Sequence, residues 1–384
     1  MTHEVGILNN IKGDMNRLGY LKIITSIVGK SRNSPEVVTE SLERICTVDG
    51  KPRWEAEMIE QEKNGLSKAG MIPSATSKSY IEFAHILGLY DPDAWVLGGF
   101  GIILEQISDK NDNNELNDLE TNPLVLKDFE KIFFWNMFIT KDGQIFIPFI
   151  KYIAQKIKAT RKDMMDALME EEWGYLKFLE DSIADRKTGW DLRNKRERQL
   201  KDAKNFRTER ISAEARKEWN VSKQYALYRH FADPKIHWLV DLGFLRKANT
   251  TYEITDLSKS IIRIIEELES DTANGNGESY DLLTKLSEIF YPNLQPLPEA
   301  ELMKKIVAVY ESSFADQMTV KKTILCDVVF FTSIKQGESV SRQQILNQME
   351  KMLEKFPMCV SNNVDTFGKP IFIHIEISKI KELL

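Results

Sequence analysis

The sequence predicts a mainly α-helical chain with small β-hairpins, an α+β fold class, on three observations. In the first hundred residues, apolar side chains recur at spacings of three or four, which places them on one face of a helix. A pattern of helix, glycine and two short apolar runs occurs twice along the chain. Two stretches with almost no apolar side chains interrupt the chain. The chain is therefore expected to form helical units joined by polar linkers.

The composition excludes several classes of protein. Of 384 residues, 42% are hydrophobic, and 52 Lys and Arg stand against 58 Asp and Glu for a net charge of −6. This suits two or three domains of roughly 100 to 200 residues each, and no stretch approaches the roughly 18 to 20 apolar residues of a membrane helix. Because the chain also starts without a signal-peptide pattern, a cytoplasmic protein is expected. The three separated cysteines, Cys46, Cys326 and Cys359, are expected to be reduced core residues.

Four helices are predicted in the first hundred residues. Ser34 followed by Pro35 is typical of an N-cap and the first position of a helix. Gly88 is expected to end the fourth helix, because glycine readily adopts the left-handed conformation found after helix ends. The predicted helices are Met15 to Val28, Pro35 to Cys46, Trp54 to Lys68 and Ser79 to Leu87.

The internal repeat predicts the type of module. In residues 84–104 and 237–262, an apolar helix reaches Leu-Gly, and a polar turn then leads to an aromatic-x-aliphatic strand and a short helix. Because the glycine ends a helix and the hairpin packs back on it, this order is typical of a winged helix, here in tandem. The alternative is that short apolar runs follow glycine by chance. A weaker third copy is expected where Ser341 caps an amphipathic helix that Pro357 ends, followed by two strands.

Two polar stretches are predicted to separate three domains. One is rich in Asp and Asn and the other combines Gly, Asn and acidic side chains, so neither can bury a core. Helical spacing resumes at Pro123 and continues through Trp173, with a turn predicted at 141–143. The expected organisation is a first winged-helix-like domain at 1–107, an acidic linker at 108–122, a second winged-helix-like domain at 123–269 with a basic helical insertion at 186–217, a linker at 270–279, and a third helical, winged-helix-like domain at 280–384.

The insertion at 186–217 is strongly basic. It holds 12 Lys and Arg against five acidic residues, a local charge of +7, which leaves −13 for the rest of the chain. Contact with a DNA phosphate backbone is one interpretation, because counterion release depends on local charge. The other interpretation is a solvated helix whose acidic residues, at spacings of three and four, form internal ion pairs.

Residues that lead into or begin the third helix of each module are candidates for DNA binding. In a winged helix this helix enters the major groove, where Gln and Asn read adenine and Arg reads guanine, while hydroxyl groups at a helix N-terminus favour phosphate oxygens. Each of these residue types is also ordinary on a protein surface. The candidates are Thr76, Ser77, Lys78, Ser79 and Tyr80 in the first module; Arg193, Lys195, Arg196, Arg198, Lys204 and Arg207 in the insertion; Ser222, Lys223, Gln224 and Arg229 in the second module; and Arg342, Gln343, Gln344, Asn347 and Lys369 in the third.

No catalytic centre or metal site is predicted in this chain. The sequence lacks a GxxxxGK[ST] phosphate loop and a GxSxG elbow, and its five histidines form no HExxH pair. Asp185-Arg186-Lys187 has the letters of a metal-dependent nuclease motif, but it falls in a predicted helix without β-rich surroundings. His230 and His237, two helical turns apart, are expected to frame a helix face. No cofactor is expected in this chain, and Mg²⁺ only if a nuclease domain or partner is attached.

Three stretches carry a family resemblance. They are KNGLSKAGMIPSATSKSYIEFAHILGLYD at 63–91, FEKIFFWNMFITKDGQIFIPFIKYI at 129–153, and YALYRHFADPKIHWLVDLGFLRKANTTYEITDLSKSII at 225–262. Their layout resembles the DNA-recognition region of FokI-type and related nicking type IIS restriction endonucleases, which consists of consecutive winged-helix subdomains followed by a separate cleavage domain. The chain departs from that family because nothing in it reads as a PD-(D/E)xK cleavage domain. The resemblance implies either a recognition fragment or a nuclease on another polypeptide.

Two classes of function remain open. The first is sequence-specific recognition of double-stranded DNA in a restriction or antiviral defence system, by a nucleoid-associated prokaryotic protein with a nuclease or methyltransferase partner and no membrane contact. The second is an interaction scaffold, a dimerisation or kleisin-like subunit of a chromosome-maintenance or anti-phage complex, which a pI of about 5.7 suits. The DNA-recognition function would be favoured over the scaffold if four basic residues lay on one surface with the helix at 222–229, namely Arg193, Arg196, Lys204 and Arg207.

Overall fold

The computed structural model confirms the mainly helical α+β class. Small two- and three-stranded sheets accompany the helices. In the residues that it describes, no helix is long and apolar enough to cross a membrane. The described residues are 15–48, 51–52, 74–108, 123–183, 208, 212, 223–273, 282–315, 319–364 and 371–383.

The first unit is a helical group closed by a short hairpin. Pro35 occupies the first position of its second helix, as the sequence predicts, while the helix predicted at 54–68 lies outside the described residues. The unit consists of α1 (Gly19–Lys30), α2 (Pro35–Cys46), the antiparallel pair β1 (Thr47–Val48) and β2 (Lys51–Pro52), α3 (Ser74–Ile86), the antiparallel pair β3 (Tyr90–Asp91) and β4 (Val96–Leu97), and α4 (Gly99–Ile107).

Two glycines shape the turn from α3 into the hairpin. Gly88 has a φ of +74°, and its N–H donates to the carbonyl of His85 at 2.9 Å, so it ends the helix in the predicted left-handed conformation. Gly101 in α4 lies against the same turn, because a Cβ atom there would come within 1.9 Å of the Leu89 carbonyl oxygen. The close approach of α4 to the hairpin therefore requires glycine.

The second unit contains the predicted turn as a bend inside a long helix. Asp142, with φ −142° and ψ 29°, is non-helical, so α5 consists of two helical segments that meet at a kink where the sequence predicts a turn. Gly243, with φ +76°, ends α7 as Gly88 ends α3. The elements are α5 (Asp128–Lys156), β5 (Lys158–Thr160), α6 (Arg161–Ile183), α7 (Lys223–Asp241), β6 (Leu245–Ala248), β7 (Thr251–Ile254) and α8 (Asp256–Ala273). The last helix thus continues into the first residues of the predicted linker at 270–279.

The third unit contains the hairpin that the sequence predicts most weakly. Ser341 caps its penultimate helix, and that helix ends two residues before Pro357. The elements are α9 (Leu282–Phe290), β8 (Gln295–Pro296), α10 (Glu299–Phe314), β9 (Val320–Lys321), α11 (Lys322–Lys335), β10 (Glu338–Ser339), α12 (Arg342–Lys355), β11 (Val360–Asn363), β12 (Phe372–Ile375) and α13 (Ile377–Lys381).

The second and third units share one order of elements. Among the elements named above, each has a helix, a short strand, two further helices and an antiparallel hairpin, with β10 added between those two helices in the third unit. The strand order is β5-β7-β6 in the second unit and β9-β12-β11 in the third, so the last strand lies between the other two in both sheets. The helix before each hairpin is α7 in the second unit and α12 in the third.

The three units pack on one continuous hydrophobic core. The indole of Trp238 on α7 stacks on Phe83 of the first unit at 4.7 Å between ring centroids, and its Nε1 donates to the Met15 carbonyl at 2.7 Å. Lys335 of the third unit donates to the Ile107 carbonyl at the end of α4 at 2.8 Å. The three cysteines are buried thiols, as the sequence predicts. Relative placement of the units is therefore fixed by buried contacts.

Candidate nucleic-acid interface

The N-terminus of α12 is held by a reciprocal cap. The backbone N–H of Gln344 donates to the Ser341 hydroxyl at 3.1 Å, and the Ser341 N–H donates to the Gln344 side-chain oxygen at 2.7 Å. This capping box satisfies two N–H groups that have no partner inside the helix. Gln344 was predicted to contact bases, but in the free protein its side-chain oxygen accepts the hydrogen bond from the Ser341 N–H.

Arg342 connects α12 to α11. Its Nε lies 2.7 Å from Oδ1 of Asp327, and the carboxyl is almost buried while the guanidinium is about one third exposed. Cys326, the residue before Asp327, places its thiol 3.5 Å from the Arg342 carbonyl oxygen. The sequence predicted a base-reading arginine here. The contact of Nε with a nearly buried carboxylate ties α12 to α11, and base reading by Arg342 stays a prediction.

The exposed face of α12 carries amide side chains. Gln343 and Asn347 are both exposed, and the Gln343 Nε2 donates to the Asn347 Oδ1 at 2.7 Å. Asn362 and Asn363 on strand β11 are exposed as well. Amides carry both a donor and an acceptor, which the major-groove edge of adenine can pair with. Lys369, predicted to bind from the same hairpin, lies outside the described residues.

Helix α3 buries two of the hydroxyl groups that the sequence predicted for phosphate binding. Ser77 and Tyr80 are fully buried, and the Tyr80 hydroxyl accepts a hydrogen bond from the Arg17 backbone N–H at 3.0 Å. The prediction for these two residues was wrong, because both belong to the apolar face of the helix. Thr76 and Ser79 are partly buried, and Lys78 is exposed.

A groove of about 580 Å³ between α2 and α3 is acidic. Its apolar lining comes from Pro35, Ile81 and Pro92. Its charged lining consists of one lysine and four glutamates, namely Lys78, Glu36, Glu40, Glu43 and Glu82. A surface with this excess of negative charge repels a phosphate backbone, so Lys78 is poorly placed for DNA.

Helix α7 is buried over its C-terminal half. Residues 232–241 are buried except for two partly exposed positions, Asp233 and His237. The side chains of Lys223, Gln224 and Arg229 near its start lie outside the described part, as does Ser222. The same holds for the basic insertion residues Arg193, Lys195, Arg196, Arg198, Lys204 and Arg207. Their predicted alignment on one surface stays a prediction.

A basic edge on the sheet of the second unit was not predicted from the sequence. Lys158 on β5 and Arg246 on β6 both reach Glu253 on β7, at 3.1 Å each, and these contacts lower the pKa of that carboxyl. Lys156 and Lys247 flank them along the chain. We call Lys158 and Arg246, together with their neighbours in the chain Lys156 and Lys247, the basic sheet edge. Their separation by about 90 residues hid the cluster, although the dipeptide Arg246-Lys247 in the hairpin is a local signal.

The described residues offer no catalytic metal centre. Within them, no group of three or more His, Cys, Asp or Glu side chains is placed to hold a metal ion. His237 is mostly buried on α7, and burial lowers its pKa to about 4. The motif at Asp185-Arg186-Lys187 lies outside the described residues.

Comparisons with known proteins give no relative. No family model matches the chain, and neither a curated protein nor a solved structure matches it.

Proposed function

We propose that the chain is a sequence-specific double-stranded DNA recognition module of a restriction or defence system, and that cleavage belongs to a separate domain or subunit. In this proposal the second and third units are winged helices. The shared strand order of their sheets supports it, because in both a short first strand pairs with the last strand of the hairpin. Any Mg²⁺ would belong to the attached nuclease.

The amide face of α12 is the observation that carries the proposal. Gln343 and Asn347 are exposed on a helix whose start is fixed by the Ser341 cap and by the Arg342–Asp327 ion pair. A base-reading side chain needs this fixed support, because discrimination between bases depends on paired hydrogen bonds with defined geometry. In the proposal α12 lies in the major groove and the hairpin β11–β12 lies beside it.

Phosphate contacts would come from the second unit. The basic sheet edge places Lys158 and Arg246 on an exposed surface with 56% and 65% of each side chain accessible. Exposed cations of this kind add affinity without sequence preference. The insertion at 186–217, with its charge of +7, would add to the same sequence-independent affinity.

The salt dependence of duplex binding tests the electrostatic part of the proposal. Each lost phosphate contact reduces the slope of log K against log salt by about 0.9. Replacing Arg193, Arg196, Lys204 and Arg207 by Gln is expected to flatten the slope, and Lys158→Gln with Arg246→Gln is expected to do so by up to about two contacts. An unchanged slope in both variants would show that these cations face solvent and do not contact DNA phosphates.

The acidic groove between α2 and α3 favours a second function for the first unit, that of an interaction scaffold. Its glutamates suit a Lys- or Arg-rich segment of a partner protein, such as a nuclease or methyltransferase subunit. Comparing proteins that copurify with the wild-type chain and with a Glu40→Gln, Glu82→Gln variant tests this. If both chains retain a partner equally, the groove is not the site that binds it.

A further inference from the structure

Ile157, the single residue between α5 and β5, presents an apolar side chain to solvent from a strained backbone. It is 67% exposed, and its φ is +61° with a ψ of −43°. A positive φ is a genuine outlier for a β-branched residue, and this backbone resembles the rare, strained form of the γ-turn. Lys156 and Lys158, both exposed, flank it in the chain.

Two backbone hydrogen bonds hold Ile157 in this conformation. Its N–H donates to the Ala154 carbonyl at 3.4 Å, and the Ile254 N–H on β7 donates to the Ile157 carbonyl at 3.1 Å. The second bond ties the strained residue to the sheet. Strained backbone persists only where the surrounding structure holds it, and it concentrates at functional sites. The outlier therefore marks Ile157 as a residue with a function.

The positive φ decides on which side of the sheet the Ile157 side chain lies. Along β5, Lys158 and Thr160 are exposed and Ala159 between them is buried, as the alternation of a strand requires. Continued backwards, this alternation would bury Ile157 on the same side as Ala159. The strained backbone instead leaves the side chain in solvent, where it gains nothing from burial.

The surface next to Ile157 is positively charged. Lys158 on β5 and Arg246 on β6 both lie opposite Glu253 on the central strand β7. Both cations contact that carboxylate, so two positive charges share one negative charge and the row keeps an excess of positive charge. A polyanion is the partner that complements this surface. The exposed isoleucine thus adjoins a surface suited to a phosphate backbone.

We propose that Ile157 inserts between two neighbouring base pairs from the minor groove and kinks the bound duplex, while Lys158 and Arg246 hold phosphates beside it. The inference rests on the proposed function, because it requires the basic sheet edge to lie on DNA. Isoleucine is among the apolar wedges that proteins use to bend DNA, and the cost of unstacking is repaid by the larger contact with bent DNA. A wedge must be exposed and fixed in direction before DNA arrives, and the held backbone of Ile157 provides both.

A wedge at Ile157 adds sequence preference without a hydrogen bond to any base. Pyrimidine–purine steps such as TA unstack easily, whereas A-tracts are stiff. We therefore expect a TA or CA step at the kink in the sequence that the chain prefers. This preference is separate from any base reading by α12.

The test measures the bend of a bound duplex by energy transfer between dyes at its two ends. The duplex is first selected from random sequences by the wild-type chain. Wild-type binding is expected to raise the energy transfer by the amount of a bend of roughly 20° to 90°. Ile157→Gly should bind and leave the duplex straight, whereas Ile157→Leu, which keeps an apolar wedge, should bend it. Leu383→Gly removes another exposed apolar side chain, after α13, and should bend the duplex as the wild-type chain does.

Three further measurements on Ile157→Gly separate a wedge from a structural residue. Because glycine adopts a positive φ without strain, the unfolding midpoint should be no lower than that of the wild-type chain. The variant removes no cation, so the slope of log K against log salt should not change. Replacing the TA or CA step of the selected site by AA should weaken wild-type binding by about tenfold and binding of the variant by less than about twofold, because only the wedge senses stiffness.

The possible failures are distinguishable. If no duplex is enriched or bound, the proposed function fails and this inference fails with it. A bound duplex that stays straight with the wild-type chain, or bends equally with Ile157→Gly, overturns the wedge alone. Vesicles of phosphatidylcholine and phosphatidylglycerol test the other surface that an apolar side chain among cations suits. If Ile157→Gly weakens binding to these vesicles and leaves DNA binding and bending unchanged, Ile157 contacts lipid and the wedge is overturned.

Discussion

Arg17 and Asp241 form a buried ion pair that joins the start of the first unit to the end of α7. The Arg17 Nε lies 2.9 Å from the Asp241 Oδ1, and the two side chains are 3% and 2% exposed. The Leu18 N–H donates to the other Asp241 oxygen at 2.8 Å, and Arg17 donates to the Leu124 carbonyl at 2.8 Å. Burial raises the pKa of Asp241, and Arg17 and the Leu18 N–H oppose that rise.

Removing one partner of this pair should destabilise the protein strongly. Arg17→Met or Asp241→Leu leaves an uncompensated buried charge, and each is expected to lower the free energy of unfolding by about 3 to 5 kcal/mol. The double variant should lose much less than the sum, because neither charge remains. Urea denaturation of the three variants measures this, and strictly additive losses would show that the two side chains do not interact.

Three glycine-to-alanine substitutions should separate steric from conformational cost. Gly101→Ala should destabilise most, since its Cβ would meet the Leu89 carbonyl oxygen at 1.9 Å. Gly337→Ala, with φ +79° and open space around it, should cost about 1 kcal/mol for the left-handed backbone alone. Gly174→Ala, inside α6 with nothing within 4 Å, should stabilise by roughly 0.5 to 1 kcal/mol. Thermal unfolding midpoints in any other order would contradict this account.

His237 should make the protein less stable in mild acid. Its folded-state pKa of about 4 lies below the ordinary value of 6.5, so between these values the unfolded chain binds a proton that the folded chain does not. Stability should be full above pH 6.5 and fall towards pH 4, by up to about 1.4 kcal/mol per pH unit from this group. His237→Gln should fall less steeply in urea titrations at several pH values. Equal slopes for both proteins would exclude His237 as the cause.

Two residues of α12 should have different effects on DNA binding. Asn347→Ala removes an exposed amide and is expected to alter preference at one or two base pairs, by about 1 to 3 kcal/mol for a lost two-pronged contact. Arg342→Gln disturbs the Asp327 contact and should weaken binding to all sequences. Lys78→Ala, on the acidic groove, should change neither the sequence preference nor the overall affinity for DNA. Binding constants for a panel of duplexes distinguish these outcomes. A uniform loss from Asn347→Ala would exclude it as a base reader.

Local signals predicted much of the secondary structure. Ser34-Pro35 marked the start of α2, the two Leu-Gly pairs marked the ends of α3 and α7, and Ser341 marked the cap of α12. These features depend on a few neighbouring residues, so the sequence carries them directly. The turn predicted at 141–143 is confirmed as a kink, because Asp142 has a non-helical backbone between the two helical segments of α5.

Contacts between distant residues limited the prediction of the site. Ser77 and Tyr80 were expected at a helix surface, but packing against Arg17 and Tyr20 buries Tyr80. Arg342 was expected to contact bases, and its partner Asp327 lies on another helix. The basic sheet edge joins β5 to a hairpin much later in the chain. No local pattern encodes such pairs, because they form only when elements distant in sequence pack together.

Selection of binding sites from random duplexes at two salt concentrations tests the central claim most directly. If α12 reads bases, one sequence should be enriched, and its advantage over random DNA should persist at the higher salt, because base contacts depend less on counterions than phosphate contacts do. Asn347→Ala should change the enriched sequence. Binding without any enriched sequence, or no binding to duplex DNA at either salt concentration, would contradict the account.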